Sequence, residues 1–463
     1  MTTTALGAET TQPLLLAPEE PSKGQLNFFN GQIMLNPFIS KINFFCFLLY
    51  TAFMGLILLP LGLLQASVLG VIYKLSSDDQ AYVTSTVQFA QLALQLIVSP
   101  WIGYFCDKYG RKIPVCCGLT GLCLTIFLTP NLPSPYPYYI LNQCVQGMSF
   151  SMMILPPILA DYIDKRTHGR MAGFASVLVN TGSFFMTSLN AAEDTEENLR
   201  KKFLYLGIVA SGLALVIVSG LKGGAYHKVA AQRASPVQEC ISVNEDNENT
   251  QTEAQKQPEA QPGLMAGIKE AKNPWIFAGY VLNFLMMSSV GLTNFSLVTY
   301  IIYLTQDKTK ANLAYLLVSK FLLSAAICSV FFGFFADKFN KFKLIVFTVL
   351  CSITSITLLL LIKSPTELMA YISMIFYGAA SAGFITFSTQ LLNKYASAQF
   401  RGSVVAFGGM ISLLASASIN ILGVYLIHFN VLIPFFMYFG FALTGLLILV
   451  ILYISKRDIL NQT

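Results

Sequence analysis

The amino-acid sequence predicts an all-α, polytopic membrane protein whose twelve transmembrane helices form two six-helix bundles. Composition is the first observation: 54% of the 463 residues are hydrophobic and 11% are charged, whereas a soluble domain has roughly 25% charged residues. Secondly, twelve apolar segments are each long enough to cross about 30 Å of hydrocarbon. Thirdly, a loop motif occurs twice, half a chain length apart, as expected for duplicated bundles.

The twelve apolar segments, which we number spans 1 to 12, fall into two groups of six. Spans 1 to 6 cover approximately residues 43–67, 82–106, 113–130, 137–160, 170–190 and 203–221. Spans 7 to 12 cover approximately residues 275–304, 311–335, 343–362, 367–391, 402–427 and 431–454. The stretch between the groups is rich in Asn, Glu, Gln, Lys and Pro, which is typical of a flexible linker.

This pattern divides the chain into two bundles, a linker and two tails. The parts are an N-terminal tail at 1–41, a first six-helix bundle at 42–221, a linker at 222–272, a second six-helix bundle at 273–455 and a C-terminal tail at 456–463. Residues 1–24 are polar, and we expect them to be disordered.

The distribution of cations predicts the orientation in the membrane. If the N-terminus is inside, 21 of the 29 Lys and Arg residues lie on the cytoplasmic side and 7 lie in outer loops. Positive charge accumulates in cytoplasmic loops, so we expect both termini and the linker to be cytoplasmic. The sequence leaves both the plasma membrane and an endolysosomal membrane open.

A short basic loop between spans 2 and 3 contains the first copy of the motif. It reads Gly103-Tyr-Phe-Cys-Asp107-Lys-Tyr-Gly110-Arg111-Lys. Gly103 allows a neighbouring helix to approach closely, and Gly110 provides the sharp turn. Asp107 lies where the hydrocarbon ends, so it needs a partner, either a nearby cation or the positive N-terminus of another helix.

The second copy lies between spans 8 and 9 and begins 230 residues after the first. Its matching residues are Gly333, Asp337, Asn340 and Lys341. Asn340 replaces the turn glycine, and asparagine tolerates a left-handed backbone. Arg170 and Arg401 repeat in the same way, 231 residues apart, and each opens an apolar segment.

Both loops resemble the signature loop of the major facilitator superfamily, which reads G-x-x-x-D-[RK]-x-G-[RK]-[RK]. The first copy meets every position, and the second departs at Asn340. The resemblance implies a major facilitator fold and transport by alternating access, in which two bundles rock about a central site. It also implies gating latches. Asp107 and Arg111 would hold span 2 against the start of span 11 near Arg401. Asp337 would act in the same way on span 5 near Arg170.

Amide side chains collect on particular spans. Spans 3, 6, 9 and 12 have no Asn, Gln, Asp, Glu, Lys or Arg within their cores, whereas the other spans do. A helix that lines a wet cavity tolerates such groups, and a lipid-facing helix avoids them. The candidate substrate-binding residues are Gln88, Gln91, Gln143, Gln146, Asn294, Tyr300 and Lys320. The alternative is that the amides join helices and the aromatic rings only pack.

Lys320 is the only charged side chain deep inside a span. Ser324 follows it by one helical turn, so the sequence predicts that the two share a wet face of span 8. If that face lines the cavity, an anionic substrate is the natural partner, because no carboxylate lies in a span core. The alternative is that Lys320 extends along the helix to the outer membrane surface.

The sequence argues against several classes of function. Its three histidines, His168, His227 and His428, lie near or outside span ends, and no cysteine spacing fits a metal site. We therefore expect neither an enzyme nor a cofactor. The cations flank membrane spans, so we expect a small-molecule substrate and the lipid bilayer as partners, no nucleic acid, and a monomer. A non-transporting receptor or sensor with this fold is the alternative.

Span 4 bears on the type of transporter. Drug–proton antiporters of the superfamily usually have R-x-x-Q-G there, and this sequence has Gln143-Cys-Val-Gln146-Gly147. A drug or xenobiotic effluxer is therefore left as an alternative. The nearest carboxylates, Asp161 and Asp164, lie at the end of span 4, so the sequence predicts facilitated diffusion or exchange without a carboxylate proton relay.

Overall fold

The computed structural model describes residues 27–28, 31–36, 39–154, 158–189, 195–222, 264–305, 312–336, 338–397, 400–423, 426 and 429–457. Helices account for most of these residues. Within them, nine helices are long and apolar enough to cross a membrane. Spans 1, 4 and 5 are also helical in their described parts, so the twelve-span, all-α fold is confirmed.

Seven α-helices of the first half lie within the described residues. They are α1 (Lys41–Ser67), α2 (Ser77–Tyr109), α3 (Lys112–Leu128), α4 (Ile140–Ile154), α5 (Ile158–Tyr162), α6 (His168–Leu189) and α7 (Glu196–Gly220). Helix α1 starts in a capping box, in which Ser40 and Asn43 each accept the other's backbone N–H. Span 4 was predicted as one segment, and its described parts are α4 and α5; residues 155–157 between them lie outside the described residues.

In the second half, the described part of the chain contains eight α-helices. They are α8 (Leu264–Glu270), α9 (Pro274–Gly291), α10 (Leu297–Thr305), α11 (Asn312–Phe335), α12 (Lys341–Leu361), α13 (Leu368–Tyr395), α14 (Arg401–Ala417) and α15 (Ile433–Ser455). Helix α8 lies inside the range predicted as linker. Residues 223–263 of that range lie outside the described residues, as do residues 1–24.

Two spans of the second half change their helical pitch in the membrane. The π-helical segment Leu292–Ser296 joins α9 to α10, and the π-helical segment Ser418–Gly423 extends α14. These segments pack against each other, and the second one also packs against α2. A π-turn shifts the side chains that follow it around the helix axis, and it frequently occurs at functional sites.

The hydrophobic core is divided between the halves. The largest cluster of the first half runs from Ile33 to Leu221, and a small one contains Ile102 and Cys106. The buried residues of the remaining clusters all lie between Trp275 and Leu449. Large exposed apolar side chains cover the outer faces, for example Leu215 on α7 and Leu447 on α15. This separation is the two-bundle arrangement that the sequence repeat predicts.

A short β-hairpin precedes α1, within the range predicted as the N-terminal tail. Strand β1 (Asn27–Phe28) pairs antiparallel with β2 (Ile33–Met34). The turn contains Gly31 at φ +81°, a conformation that glycine adopts without steric cost. Ile33 and the following Leu35 are buried, so the hairpin belongs to the core of the first bundle.

Candidate functional site

The first motif loop joins α2 to α14. Asp107 is buried, and its Oδ1 accepts a hydrogen bond from the N–H of Gly402 at 2.8 Å. Its Oδ2 accepts from the N–H and the hydroxyl of Ser403 at 2.9 and 2.8 Å. These N–H groups belong to the first turn of α14, where a helix has unpaired donors and a partial positive charge. The carboxylate therefore caps a helix of the other bundle.

Glycine makes this approach possible. A Cβ at Gly103 would lie 2.7 Å from the Ala406 Cβ, and a Cβ at Gly402 would collide with the Asp107 carboxylate. Gly110 has φ +90°, which a residue with a side chain would adopt only under strain. We call the contact of Gly103 and Asp107 with Gly402, Ser403 and Ala406 the α2–α14 junction.

For Arg111, the structure shows a partner that the resemblance did not name. Its guanidinium, which is also buried, binds the carboxylate of Asp161 at the end of α5. The pair lies within the first bundle and ties the α2–α3 loop to the segment that precedes α6. Asp161 was noted in the sequence only as a carboxylate at the end of span 4. An acidic residue at the same membrane end as a motif arginine is the signal that could have identified it.

A second contact between the bundles lies at the same end of the molecule. Gly173 on α6 meets Gly333 on α11, and a Cβ at Gly173 would lie 2.5 Å from the Gly333 Cα. One turn further along α6, the hydroxyls of Ser176 and Ser329 are 2.7 Å apart. We call this contact the α6–α11 junction. Asp337, its predicted carboxylate, lies outside the described residues.

The second motif copy differs from the first in its local contacts. Asn340 has φ −60°, so it does not adopt the left-handed turn that the sequence allowed. Its side chain instead caps α12 by accepting from the N–H groups of Phe342 and Lys343. Lys341 is buried, donates to the Tyr395 hydroxyl at 3.3 Å and lies 6.0 Å from the centre of the Trp275 ring.

The two repeated arginines open their helices in different surroundings. Arg170 lies in the first turn of α6, and its guanidinium donates to the backbone oxygen of Gln32 in the hairpin at 3.3 Å. Arg401 begins α14 and is buried. Each therefore lies in the first turn of a helix that forms one junction.

Several predicted cavity amides bind other helices. Gln143 on α4 accepts from the Gln65 Nε2 at 2.8 Å through its Oε1, and from the Gln91 Nε2 at 2.6 Å through its backbone oxygen. The Gln95 Nε2 donates to the Gly147 oxygen at 2.7 Å. For Gln91 and Gln143, joining helices α1, α2 and α4 is thus an observed role.

Other polar groups have no such bond. The Oε1 atoms of Gln88 and Gln146, the Oδ1 of Asn420 and the Oγ of Ser296 are buried and have no hydrogen-bond partner among the described residues. Asn420 lies in the second π-helical segment, and a Cβ at Gly291 would be 3.3 Å from its amide atoms. Because α2 and α14 run antiparallel from their junction, Gln88 and Asn420 each lie about four turns away from it.

The structure describes the side chain of Tyr300 but not that of Asn294. Tyr300 is buried, donates to the Leu359 oxygen at 3.1 Å and packs on Phe435 at 4.9 Å between ring centres. Its described contacts are those of a packing residue within the second bundle. Asn294 lies in the first π-helical segment, and its side chain is outside the described part of the chain.

Lys320 lies on an exposed, otherwise apolar face of α11. Leu316, Leu323 and Ile327 are exposed on the same face. Ser324 does not share this face, because it is buried and its hydroxyl donates to the Ile375 oxygen of α13 at 2.8 Å. Lys320 and Ser324 therefore do not share the wet face that the sequence predicted. The exposed apolar neighbours of Lys320 fit the alternative in which its side chain extends along the helix to the outer membrane surface.

Comparison with known proteins identifies the class. The Major Facilitator Superfamily model matches residues 39–306 and 276–462. This chain belongs to that superfamily, and it is a multi-pass membrane transporter of small solutes, not an enzyme.

Two bacterial proteins are similar in sequence. Multidrug resistance protein 1 of Bacillus subtilis (strain 168) is 22% identical over 61% of this chain, and the match spans 66% of that protein, just under two thirds. Quinolone resistance protein NorA of Staphylococcus aureus (strain MSSA476) is 22% identical over 77% of this chain and 84% of its own length.

Two solved structures share the fold. The human organic anion transporter MFSD10 (TETRAN) has a TM-score of 0.63 and 13% identity, covering 89% of this chain and all of that one. The proton:xylose symporter XylE has a TM-score of 0.61 and 13% identity, covering 88% of this chain and 94% of that one. At this identity, the likeness concerns the fold alone.

Proposed function

We propose that this protein moves a small, uncharged organic solute by alternating access. The observation that supports the mechanism is the closure of both junctions at one end of the molecule. The Arg111–Asp161 pair places the two junctions side by side, because it joins the loop after α2 to the segment before α6. A solute could then enter only from the opposite end until the bundles rock apart. The excess of Lys and Arg residues in the predicted inner loops supports a cytoplasmic position for the closed end and for both termini.

Opening this end requires α2 to separate from α14. The three hydrogen bonds of Asp107 would then break, whereas the Arg111–Asp161 pair could persist within its bundle. A charge at a helix N-terminus is worth about 0.3–1 kcal/mol when exposed and up to about 2 kcal/mol when partly buried. Such a contact biases the equilibrium between two states without locking it. We therefore assign gating to both junctions, with Asp337 and Lys341 acting beside the second.

The proposed substrate class rests on buried polar groups in both bundles. Gln88, Gln146, Asn420 and Ser296 each have an oxygen that lacks a partner among the described residues. Amide oxygens only accept hydrogen bonds, so a solute with hydroxyl or N–H donors would satisfy them. Lys320 lies on an apolar face, which removes the geometric argument for an anionic solute. Asn294 remains a candidate substrate-binding residue in addition to these four polar residues.

Two alternative functions are drug efflux and the sensing of a solute without transport. Drug efflux is favoured by the two bacterial relatives, which are named as multidrug and quinolone resistance proteins. Against it, Gln143 replaces the arginine of the antiporter motif and is bound by neutral amides, Gln65 and Gln91. A sensor with this fold would bind a solute without moving it.

The direct test is uptake into vesicles that contain the purified protein. Matched radiolabelled solutes on one scaffold would be benzamide, N,N-dimethylbenzamide, benzoate and benzylamine. We expect uptake of benzamide and less of its dimethylated form, which lacks the donors. Preference for benzoate or benzylamine would contradict the proposed class. Binding of a solute without uptake would favour the sensor.

The unpartnered oxygens can be tested without any solute. Ser296→Ala removes a buried hydroxyl that has no partner among the described residues, so the melting temperature should be unchanged or higher. Its control is Ser352→Ala, which removes a buried hydroxyl that is 2.7 Å from the Tyr438 oxygen. That variant should lose about 1 kcal/mol of stability. Equal losses of stability in the two variants would mean that the Ser296 hydroxyl bonds another helix and is not available to a solute.

A further inference from the structure

The β-hairpin at the start of the chain is bound to the segment between α5 and α6. The N–H of Asp164 donates to the Met34 oxygen at 2.9 Å, and the N–H of Met34 donates to the Thr167 hydroxyl at 3.2 Å. The N–H of Asn36 donates to the Tyr162 oxygen, also at 2.9 Å. The chain after β2 therefore lies beside this segment as a short additional strand.

Apolar contacts fix the hairpin to the first bundle. Leu35 and Ile163 form an antiparallel bridge, and both are almost completely buried. The ring of Phe28 lies 4.8 Å from that of Phe44 on α1. The hairpin is thus part of the packed structure, and its described contacts are all within the first bundle.

The side chain of Asn36 holds the end of α5. Its Nδ2 donates to the backbone oxygens of Asp161 at 2.8 Å and Ala160 at 3.3 Å. Carbonyl groups at the end of a helix lack partners in the helix, so this amide caps α5. The carboxylate of Asp161 in turn binds Arg111, four residues after Asp107. A short chain of contacts therefore connects the hairpin to the α2–α14 junction.

The hairpin also contacts the start of α6. The Arg170 guanidinium donates to the Gln32 oxygen, and Gly173 of the α6–α11 junction lies one turn beyond Arg170. The α6–α11 junction therefore begins one turn from a residue that the hairpin contacts, and the α2–α14 junction is connected to the chain after the hairpin through Asp161 and Arg111.

We propose that Asn36 is a positioning residue for the gate. It holds the end of α5 so that Asp161 meets Arg111, and the motif loop then presents Asp107 to the first turn of α14. The hairpin thereby stabilises the state in which both junctions are closed. This inference rests on the proposed alternating-access mechanism, and it assigns a role in that mechanism to a segment outside the membrane spans.

A buried serine reports on junction closure. Ser329 is fully buried in the α6–α11 junction, so Ser329→Cys in a full-length, otherwise cysteine-free protein should react with a water-soluble maleimide only when the junction opens. Asn36→Ala should raise the labelling rate between about twofold and tenfold, as expected for losing one or two net hydrogen bonds. Asn36→Gln, which keeps an amide donor, should restore part of the slow labelling.

The matched control is Asn43→Ala. The Asn43 Nδ2 donates to the Gly220 oxygen at 2.7 Å, so it also caps a helix of the first bundle, but not the segment before α6. Both alanine variants should lower the melting temperature, and only Asn36→Ala should speed labelling. If Asn36→Ala does not accumulate, Asn36→Asp keeps the shape without the donor and should have the same effect.

Three outcomes would overturn the assignment. They are unchanged labelling in Asn36→Ala despite a lower melting temperature, equal acceleration in Asn43→Ala, and no recovery in Asn36→Gln. Asp107→Asn separates this failure from failure of the gate itself. Faster labelling in Asp107→Asn alone would reject only the role of Asn36. Unchanged labelling in both variants, with uptake intact, would reject the gate.

Discussion

Asp107 and Arg111 lie four residues apart in one loop and act on different bundles. Asp107 binds the first turn of α14, and Arg111 binds Asp161 in its own bundle. A change at Asp107 should therefore alter the equilibrium between conformations. A change at Arg111 should first disturb the fold of the loop, because a buried cation without its partner is costly.

The first prediction concerns Asp107→Asn. The variant keeps the size of the side chain and removes its charge, so the attraction to the α14 dipole falls by about 0.3–2 kcal/mol. We expect normal expression, between about twofold and thirtyfold faster labelling of the Ser329→Cys reporter, and slower uptake. Asp79→Asn is the control, since Asp79 lies near the opposite end of α2. Equal effects of the two variants would contradict the specific role of Asp107.

The second prediction concerns Lys320→Gln. Lys320 is exposed on the same face of α11 as Leu316, Leu323 and Ile327, so we expect substrate affinity and selectivity to stay within about twofold of the wild type. Vesicle uptake competed by benzamide and by benzoate is the measurement. A selective loss of benzoate recognition would restore the anionic substrate class and the cavity-facing position of Lys320.

At the scale of helices, small residues determine how closely the bundles meet. Gly173 and Gly333 bring the backbones of α6 and α11 into contact, and Gly103 does the same for α2 and α14. Close backbone approach of this kind is the usual role of small residues at membrane helix interfaces. Close packing of the helix backbones thus contributes to the proposed gate, in addition to the charge of Asp107.

The third prediction tests this steric part. Gly173→Ala places a Cβ against the Gly333 backbone, which cannot rotate away, so the α6–α11 junction should close incompletely. We expect faster labelling of Ser329→Cys by at least about fivefold, with the α2–α14 junction weakened indirectly. Gly212→Ala on α7 is the control, because a Cβ there meets no atom within 4 Å. If both variants label at the wild-type rate, the junction tolerates the extra methyl group and the steric argument is wrong.

At the scale of the whole molecule, the two halves repeat the motif with different chemistry. The first copy joins Arg111 to a carboxylate, whereas Lys341 of the second is held by Tyr395 and Trp275. Gly110 turns with a positive φ, and Asn340 caps a helix. The two motif loops therefore differ both in the backbone conformation of the turn and in the contacts of their cations.

The fourth prediction concerns the energy source for transport. No Asp or Glu lies in the core of any span, so a mid-membrane carboxylate cannot carry a coupling proton. We expect uptake to reach the same final level with and without a pH gradient, as for facilitated diffusion or exchange. Accumulation above equilibrium that follows the pH gradient, and that survives Asp164→Asn and Asp161→Asn, would show that another group binds the proton.

The sequence by itself determined the twelve spans, the two-bundle architecture, the repeated loop and the superfamily. These features depend on hydrophobic length and on local patterns that every copy of the fold must satisfy. The sequence also predicted that Asp107 would meet either a nearby cation or a helix N-terminus, and the structure shows the N-terminus of α14. A carboxylate at the edge of the hydrocarbon needs such a partner, whichever helix provides it.

Only the tertiary structure decided which groups meet. The binding of Arg111 to Asp161, the apolar surroundings of Lys320 and the separation of bound from unpartnered amides all depend on how each helix is rotated. The docking of Asn36 onto the end of α5 joins residues 125 positions apart. Helical periodicity places residues on a common face, but the packing of neighbouring helices selects the partner that this face meets.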